Sequence, residues 1–227
     1  MKTIIQLFEE CVVKYNNNPF LWEKKTDRFE PFTYTQTKEQ VYRFAAGLIQ
    51  LGIGRNDKVA LLSEGRNDWI IGELAILHAG AVNVPLSIKL EERNDLIFRL
   101  QHSESKYIIT SGTQLPKIRA IVNELPLLEK VIVFDDQDVY RGNEAAVSEI
   151  CRMGDKKLAA EPDCVSSISA TVLGSDIANI SYTSGTTADP KGIILTQRNY
   201  TANVEQAMSA IYIPSHYKTL IDRKSVV

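Results

Sequence analysis

The sequence predicts an α/β fold, a mostly parallel sheet with helices on its faces. Two observations carry this. The apolar period switches repeatedly between helix-like and strand-like, and short apolar runs such as KVALLS, AVNVPL and KVIVF alternate with amphipathic stretches that glycines stop.

The elements follow in order. Val41, Phe44, Ala45, Leu48 and Ile49 recur at helical spacing, which gives an amphipathic helix over about 37–51, stopped by Gly52 and Gly54. Residues 58–63 read as a buried strand. Asn67 is placed to cap a helix over about 68–79 that Gly80 ends, and 81–86 is the next strand. A helix near 91–102, a strand at 106–110, a helix near 114–123 and a strand at 130–134 continue the alternation. The stretch 154–175 shows neither period and contains Pro162, several serines and Gly174, so it reads as a long connection. Residues 176–182 form a strand, and helical character after the next strand stops near Ile213.

Composition excludes several classes. The chain has 227 residues, 26 Lys plus Arg against 28 Asp plus Glu, and a formal net charge of −2. That balance gives no electrostatic reason to expect nucleic acid or an anionic membrane as partner. Cys11, Cys151 and Cys164 are widely spaced and form no CxxC pair, so they read as reduced structural thiols. His78, His102 and His216 are scattered, and no metal site made by side chains alone is expected. His78 falls on the apolar side of its helix and reads as a packed, satisfied side chain. Glu9 and Glu10 interrupt what would be a signal-peptide core, and no apolar run reaches membrane-spanning length, so the expectation is a cytoplasmic protein.

The chemistry concentrates in residues 182–192, YTSGTTADPKG. Thr183, Ser184, Thr186 and Thr187 surround Gly185, and Pro190, Lys191 and Gly192 follow. Hydroxyls, unobstructed backbone N–H groups and one lysine are the donors a phosphate needs. A P-loop fits poorly. Pro190 stands where its second glycine belongs, Gly192 stands where the Mg2+-binding hydroxyl belongs, and 192–196 (GIILT) looks like a strand rather than an opening helix.

This segment closely resembles the phosphate-binding signature of the adenylate-forming superfamily, which includes acyl-CoA synthetases, peptide-synthetase adenylation domains and luciferases. The flanks DIANISYTSG and IILTQRNY agree, and the upstream stretch from FTYTQTKEQ to HAGAVNVPL is similar to the family's amino-terminal half. The resemblance runs from about residue 5 to about residue 213. Thr186, SEGRNDW and VPLSIKL make it most like bacterial long-chain fatty acyl-CoA synthetases.

The resemblance implies an incomplete amino-terminal domain of the adenylate-forming fold over 1–220. It implies that Thr183, Ser184, Gly185, Thr186, Thr187 and Lys191 contact the β- and γ-phosphates of ATP. The implied reaction joins a fatty acid to coenzyme A through an acyl-adenylate, with ATP, Mg2+ and CoA required and peripheral membrane contact allowed. Ala188 replaces the family's usual Gly, and Gln197 stands where many relatives have His. The family's later motifs for adenine, ribose and the catalytic lysine do not occur, and Lys218 and Lys224 lack that lysine's context. The expectation is therefore a truncated chain, inactive by itself. Residues 221–227 read as a non-native tail, because 222–227 match one reading frame of a common sequencing-adapter oligonucleotide. Two alternatives stay open: a non-catalytic nucleotide- or partner-binding protein derived from this fold, or activation of another carboxylate such as an amino acid.

Overall fold

A computed structural model describes residues 2–183, 190–212, 214 and 217. The proposed tail at 221–227 and His216 lie outside the described residues. Helix α1 (Ile4–Tyr15) opens on a capping box. The Thr3 hydroxyl accepts the Gln6 N–H, and the Gln6 side chain accepts the Thr3 N–H. Strands β1 (Pro19–Lys25) and β2 (Arg28–Thr33) form a separate antiparallel hairpin. A second box, Thr33 with Gln36, starts α2 (Tyr34–Gln50) three residues before the apolar periodicity becomes visible.

The remaining strands are β3 (Lys58–Leu62), β4 (Val82–Pro85), β5 (Tyr107–Thr110), β6 (Lys130–Val133), β7 (Glu144–Ala146), β8 (Ile177–Thr183) and β9 (Lys191–Thr196). Between them run α3 (Asn67–His78), α4 (Arg93–His102), α5 (Leu115–Ile121), α6 (Val147–Ala160) and α7 (Cys164–Ala170), with α8 (Gln197–Ala210) following β9. The described residues form a seven-stranded sheet of order β7-β6-β5-β3-β4-β8-β9, parallel throughout except for the antiparallel β8–β9 pair. This is the predicted α/β architecture.

The central strands read as unbroken apolar runs because both faces are covered. Val59 and Leu61 of β3 face a core built with α1, α2, α3 and α6, where Phe8, Phe44, Leu48 and Ile150 are buried. Ala60 and Leu62 face the opposite layer, with Leu96 and Leu100 of α4 and Ile118 of α5. At the carboxyl end of α3, Gly80 takes φ +75°, the left-handed conformation that glycine reaches without strain.

Three expectations are corrected. Residues 154–175 are not a long connection, since α6 and α7 occupy most of them. Helix α6 begins upstream of that stretch, and most of its core-facing row, Val147, Ile150 and Cys151, precedes Gly154, which leaves Leu158 as the row's continuation within it. Gly154 of α6 and Gly47 of α2 bring the two backbones into contact. A Cβ on Gly154 would lie 1.8 Å from the Arg43 carbonyl oxygen, and one on Gly47 would lie 2.1 Å from the Ile150 carbonyl oxygen. Beside the crossing, Arg43 makes two hydrogen bonds to Asp155, at 2.6 and 2.8 Å. Asn67 is not a cap, because Arg66 holds the cap position and Asn67 begins the helix, buried, with its Nδ2 lacking a hydrogen-bond partner. His78 is buried as expected but only half satisfied. Its Nδ1 meets the Leu74 carbonyl at 2.7 Å, while Nε2, 3.4 Å from Glu9 Oε1, makes no aligned hydrogen bond.

Gly154→Ala should destabilise the protein by about 1–3 kcal/mol in urea unfolding, because overpacking outweighs the roughly 1 kcal/mol by which Ala favours a helix. Gly65→Ala, where the added Cβ meets nothing within 4 Å, is the matched control and should shift the midpoint little. Equal behaviour of the two variants would contradict the backbone-contact account.

Candidate functional site: the β8–β9 hairpin

Because β8 runs parallel to β4, its end opens on the carboxyl edge of the sheet, where α/β folds place ligands. The chain then returns along β9, in a register that sets Thr183 opposite Lys191 and Tyr182 opposite Gly192. Directly opposed residues of an antiparallel pair share a face, so Thr183 and Lys191 project together at the mouth of the hairpin. Both are exposed. Ser184, Gly185, Thr186 and Thr187, together with Ala188, lie outside the described residues. The segment after the lysine is a strand, as the sequence predicts, so the hairpin lacks the helix start that a P-loop requires.

Asn179, Ser181 and Thr183 alternate onto the face of β8 that Thr183 shares with Lys191, and they pass from buried to exposed along the strand. At the buried end, Asn179 pairs with Asn83 of β4 in the ladder that joins the hairpin to the parallel strands. Asn83 Nδ2 donates to Glu73 Oε1 of α3 at 3.0 Å, and Ser181 Oγ donates to Asn179 Oδ1 at 2.7 Å. Burial pushes the Glu73 carboxyl above its ordinary pKa, against the hydrogen bonds from Asn83 and Asn179 that favour the charge. These residues escaped the sequence reading. Isolated Asn and Glu inside apolar elements were the available signal.

On the opposite face Tyr182 turns toward the last turn of α4. Its hydroxyl lies 2.8 Å from His102 Nδ1 and 3.3 Å from the Arg99 carbonyl oxygen. Burial raises the phenol's pKa, outweighing the Ser103 hydroxyl and the Arg99 charge, so the group is a neutral hydroxyl at physiological pH.

The other singled-out residues sit elsewhere. Gln197 is the buried first residue of α8, and its Oε1 accepts the Ile4 N–H at 3.0 Å, helping to satisfy the start of α1. It lies at the far end of the six-residue β9, about 20 Å from the mouth of the hairpin at 3.3 Å per residue. Gln197 therefore has a structural role in this chain. A cleft of about 780 Å3 lined by Gly174, Ser175, Thr196 and Arg198 is also at that far edge. Cys11, Cys151 and Cys164 are free thiols, and burial pushes Cys151 up to about 11. Among the described residues no group of His, Cys, Asp and Glu could hold a metal, and no helix is long and apolar enough to cross a membrane.

Comparison with known proteins bears on the family and the fold. The profile of the AMP-binding enzyme family matches residues 8–221. The chain is 30% identical over 203 residues to the long-chain-fatty-acid–CoA ligase ACSBG2 of Xenopus laevis, covering 88% of this chain and 27% of that protein. It is 29% identical over 209 residues to surfactin synthase subunit 1 of Bacillus subtilis, covering 90% of this chain and 5% of that protein. In structure it resembles the inhibitor-bound amino-terminal domain of FACL13 from Mycobacterium tuberculosis, with a TM-score of 0.77 and 25% identity over 94% of this chain and 49% of that one. The chain thus spans under a third of the length of these curated relatives.

Glu73→Gln keeps the acceptor for Asn83 and removes the buried charge. With its folded pKa raised, Glu73 binds more protons in the folded state above pH 4.5, so stability is lost as pH rises through that window. The variant should match wild type below pH 4.5 and melt about 2–4 °C higher at pH 8, the shift about 1 kcal/mol produces in a domain of this size. A lower melting point at pH 8 would show that the charged form is the one the site requires.

Proposed function

This chain belongs to the AMP-binding enzyme family, and we propose that it is the amino-terminal part of an AMP-forming long-chain fatty acid–CoA ligase. In that reaction a carboxylate oxygen attacks the α-phosphorus of ATP, forming acyl-adenylate and releasing pyrophosphate. The CoA thiol then attacks the acyl carbon and AMP leaves with the carboxylate oxygen. The observation that carries the reading is the opposition of Thr183 and Lys191 at the mouth of a strand–loop–strand hairpin on the carboxyl edge of the sheet.

The first step brings two anions together, so catalysis depends on positioning and on neutralising phosphate charge. Lys191 supplies a fixed cation, and the Thr183 hydroxyl supplies a donor beside it. Ser184, Gly185, Thr186 and Thr187 complete the proposed grip on the β- and γ-phosphates. ATP fits this donor set. Mg2+ accompanying the nucleotide would supply further neutralisation of phosphate charge. The likeness to a long-chain fatty acyl ligase supports a fatty acid as the carboxylate. The whole reading extends to residues 1–220 as part of the AMP-binding domain and to cytoplasmic residence.

The isolated chain should bind Mg·ATP weakly and form no acyl-adenylate, since the proposed grip reaches only the phosphates. Lys191→Ala should weaken ATP binding about ten- to a hundred-fold in isothermal titration, the loss of one charge-assisted hydrogen bond. Identical binding by Lys191→Ala and wild type would remove Lys191 from the site. Formation of acyl-adenylate by this chain alone would overturn its proposed inactivity.

A further inference from the structure

Both stems of the hairpin meet one aromatic side chain. Tyr182 stands one residue before Thr183, and its facing residue Gly192 stands one residue after Lys191. The Tyr182 ring lies against the bare face of Gly192. A Cβ there would be 3.5 Å from Tyr182 Cε1 and Cζ and 3.2 Å from Ile180 Cγ2. Beyond the ring, the last turn of α4 closes around the hydroxyl. The Arg99 carbonyl only accepts, so the phenol O–H donates to it and His102 Nδ1–H donates to the phenol oxygen.

The α4 side is itself held. Arg99, 6% exposed, bonds the Asp95 carbonyl at 2.8 Å and its carboxylate at 3.2 Å, and its guanidinium carbon sits 5.8 Å from the Tyr182 ring centroid. The His102 ring meets Tyr182 edge-on at 5.7 Å and stacks on Phe98 at 5.3 Å. The hairpin has little other cover on its outer strand, since Ile193 and Ile194 of β9 are exposed.

We infer that Tyr182 is a positioning residue: through its hydroxyl bonds to His102 and Arg99 it ties both stems of the phosphate hairpin to α4, and so keeps Thr183 and Lys191 opposed for a nucleoside triphosphate. The inference rests on the phosphate-binding reading for its ligand, though not for its mechanics. A ring that merely filled space would be served equally by phenylalanine. A tether loses its far end with the hydroxyl.

The test compares wild type, Tyr182→Phe, His102→Ala and the double variant of the full chain. Amide hydrogen exchange in the β8–β9 ladder, Mg·ATP affinity and the thermal midpoint are the readouts. Tyr182→Phe should speed ladder exchange several-fold and weaken ATP binding about three- to ten-fold, leaving the midpoint within about 2 °C. His102→Ala should do the same in smaller measure, and the double variant should be no worse than Tyr182→Phe. Because His102 is exposed, its removal spares the core and keeps the test decisive if the Tyr182 variant folds poorly. Unchanged exchange in His102→Ala and Tyr182→Phe, or strictly additive effects of the pair, would overturn the tether. Absence of ATP binding by wild type would sink the phosphate reading, while the exchange data alone would still decide the tether.

Discussion

The attachment of β8 to β4 is the constraint on which the site depends. That parallel ladder consists of the single pair Asn83–Asn179, at the point where buried strands give way to a polar, outward-facing hairpin. Two buried asparagines in a sheet interior are costly unless their amides are met. Glu73 reaches from α3 to meet Asn83, and Ser181 meets Asn179. The Asn83 Oδ1 is left without a partner, so the junction is held by a network that is good but incomplete. Thr183 stands four residues beyond Asn179 on the same face.

That position separates the proposed phosphate site from those built on a helix start. A helix N-terminus offers aligned N–H groups and a partial positive charge. A hairpin offers neither, so attraction for phosphate falls to side chains and to the loop's own amides. One lysine and a cluster of hydroxyls are what such a loop needs. Accuracy must then come from bracing the stems, and here the braces come from α3 on one face and α4 on the other.

The sequence makes part of this legible. Fully buried strands announce themselves, because runs such as KVALL and KVIV hold little besides apolar residues. The proposed phosphate loop is readable because its chemistry is local: donors within a few residues of one another. What escapes is non-local or only partly marked by apolar residues. Tyr182 and His102 are 80 residues apart in the chain. The apolar row of α6 lies mostly before Gly154, so the stretch from 154 onward shows little of it. The start of α3 shows another limit. Asn67 has a good capping side chain, yet the chain turns helical one residue earlier than that role would allow. Gln197 was read against a family pattern for the site, and the structure instead places it at the root of α1.

The crossing of α2 and α6 has a thermodynamic character of its own. Where Gly47 and Gly154 meet, the contact is main chain against main chain. Such a joint freezes few rotamers when it forms, and much of its entropic cost lies in the backbone freedom that two glycines surrender on becoming helical. The side chain that reaches the joint is Ile150, buried with its Cγ2 against Gly47. Because α6 follows β7 directly in the chain, this close joint also fastens the β7 end of the sheet to α2.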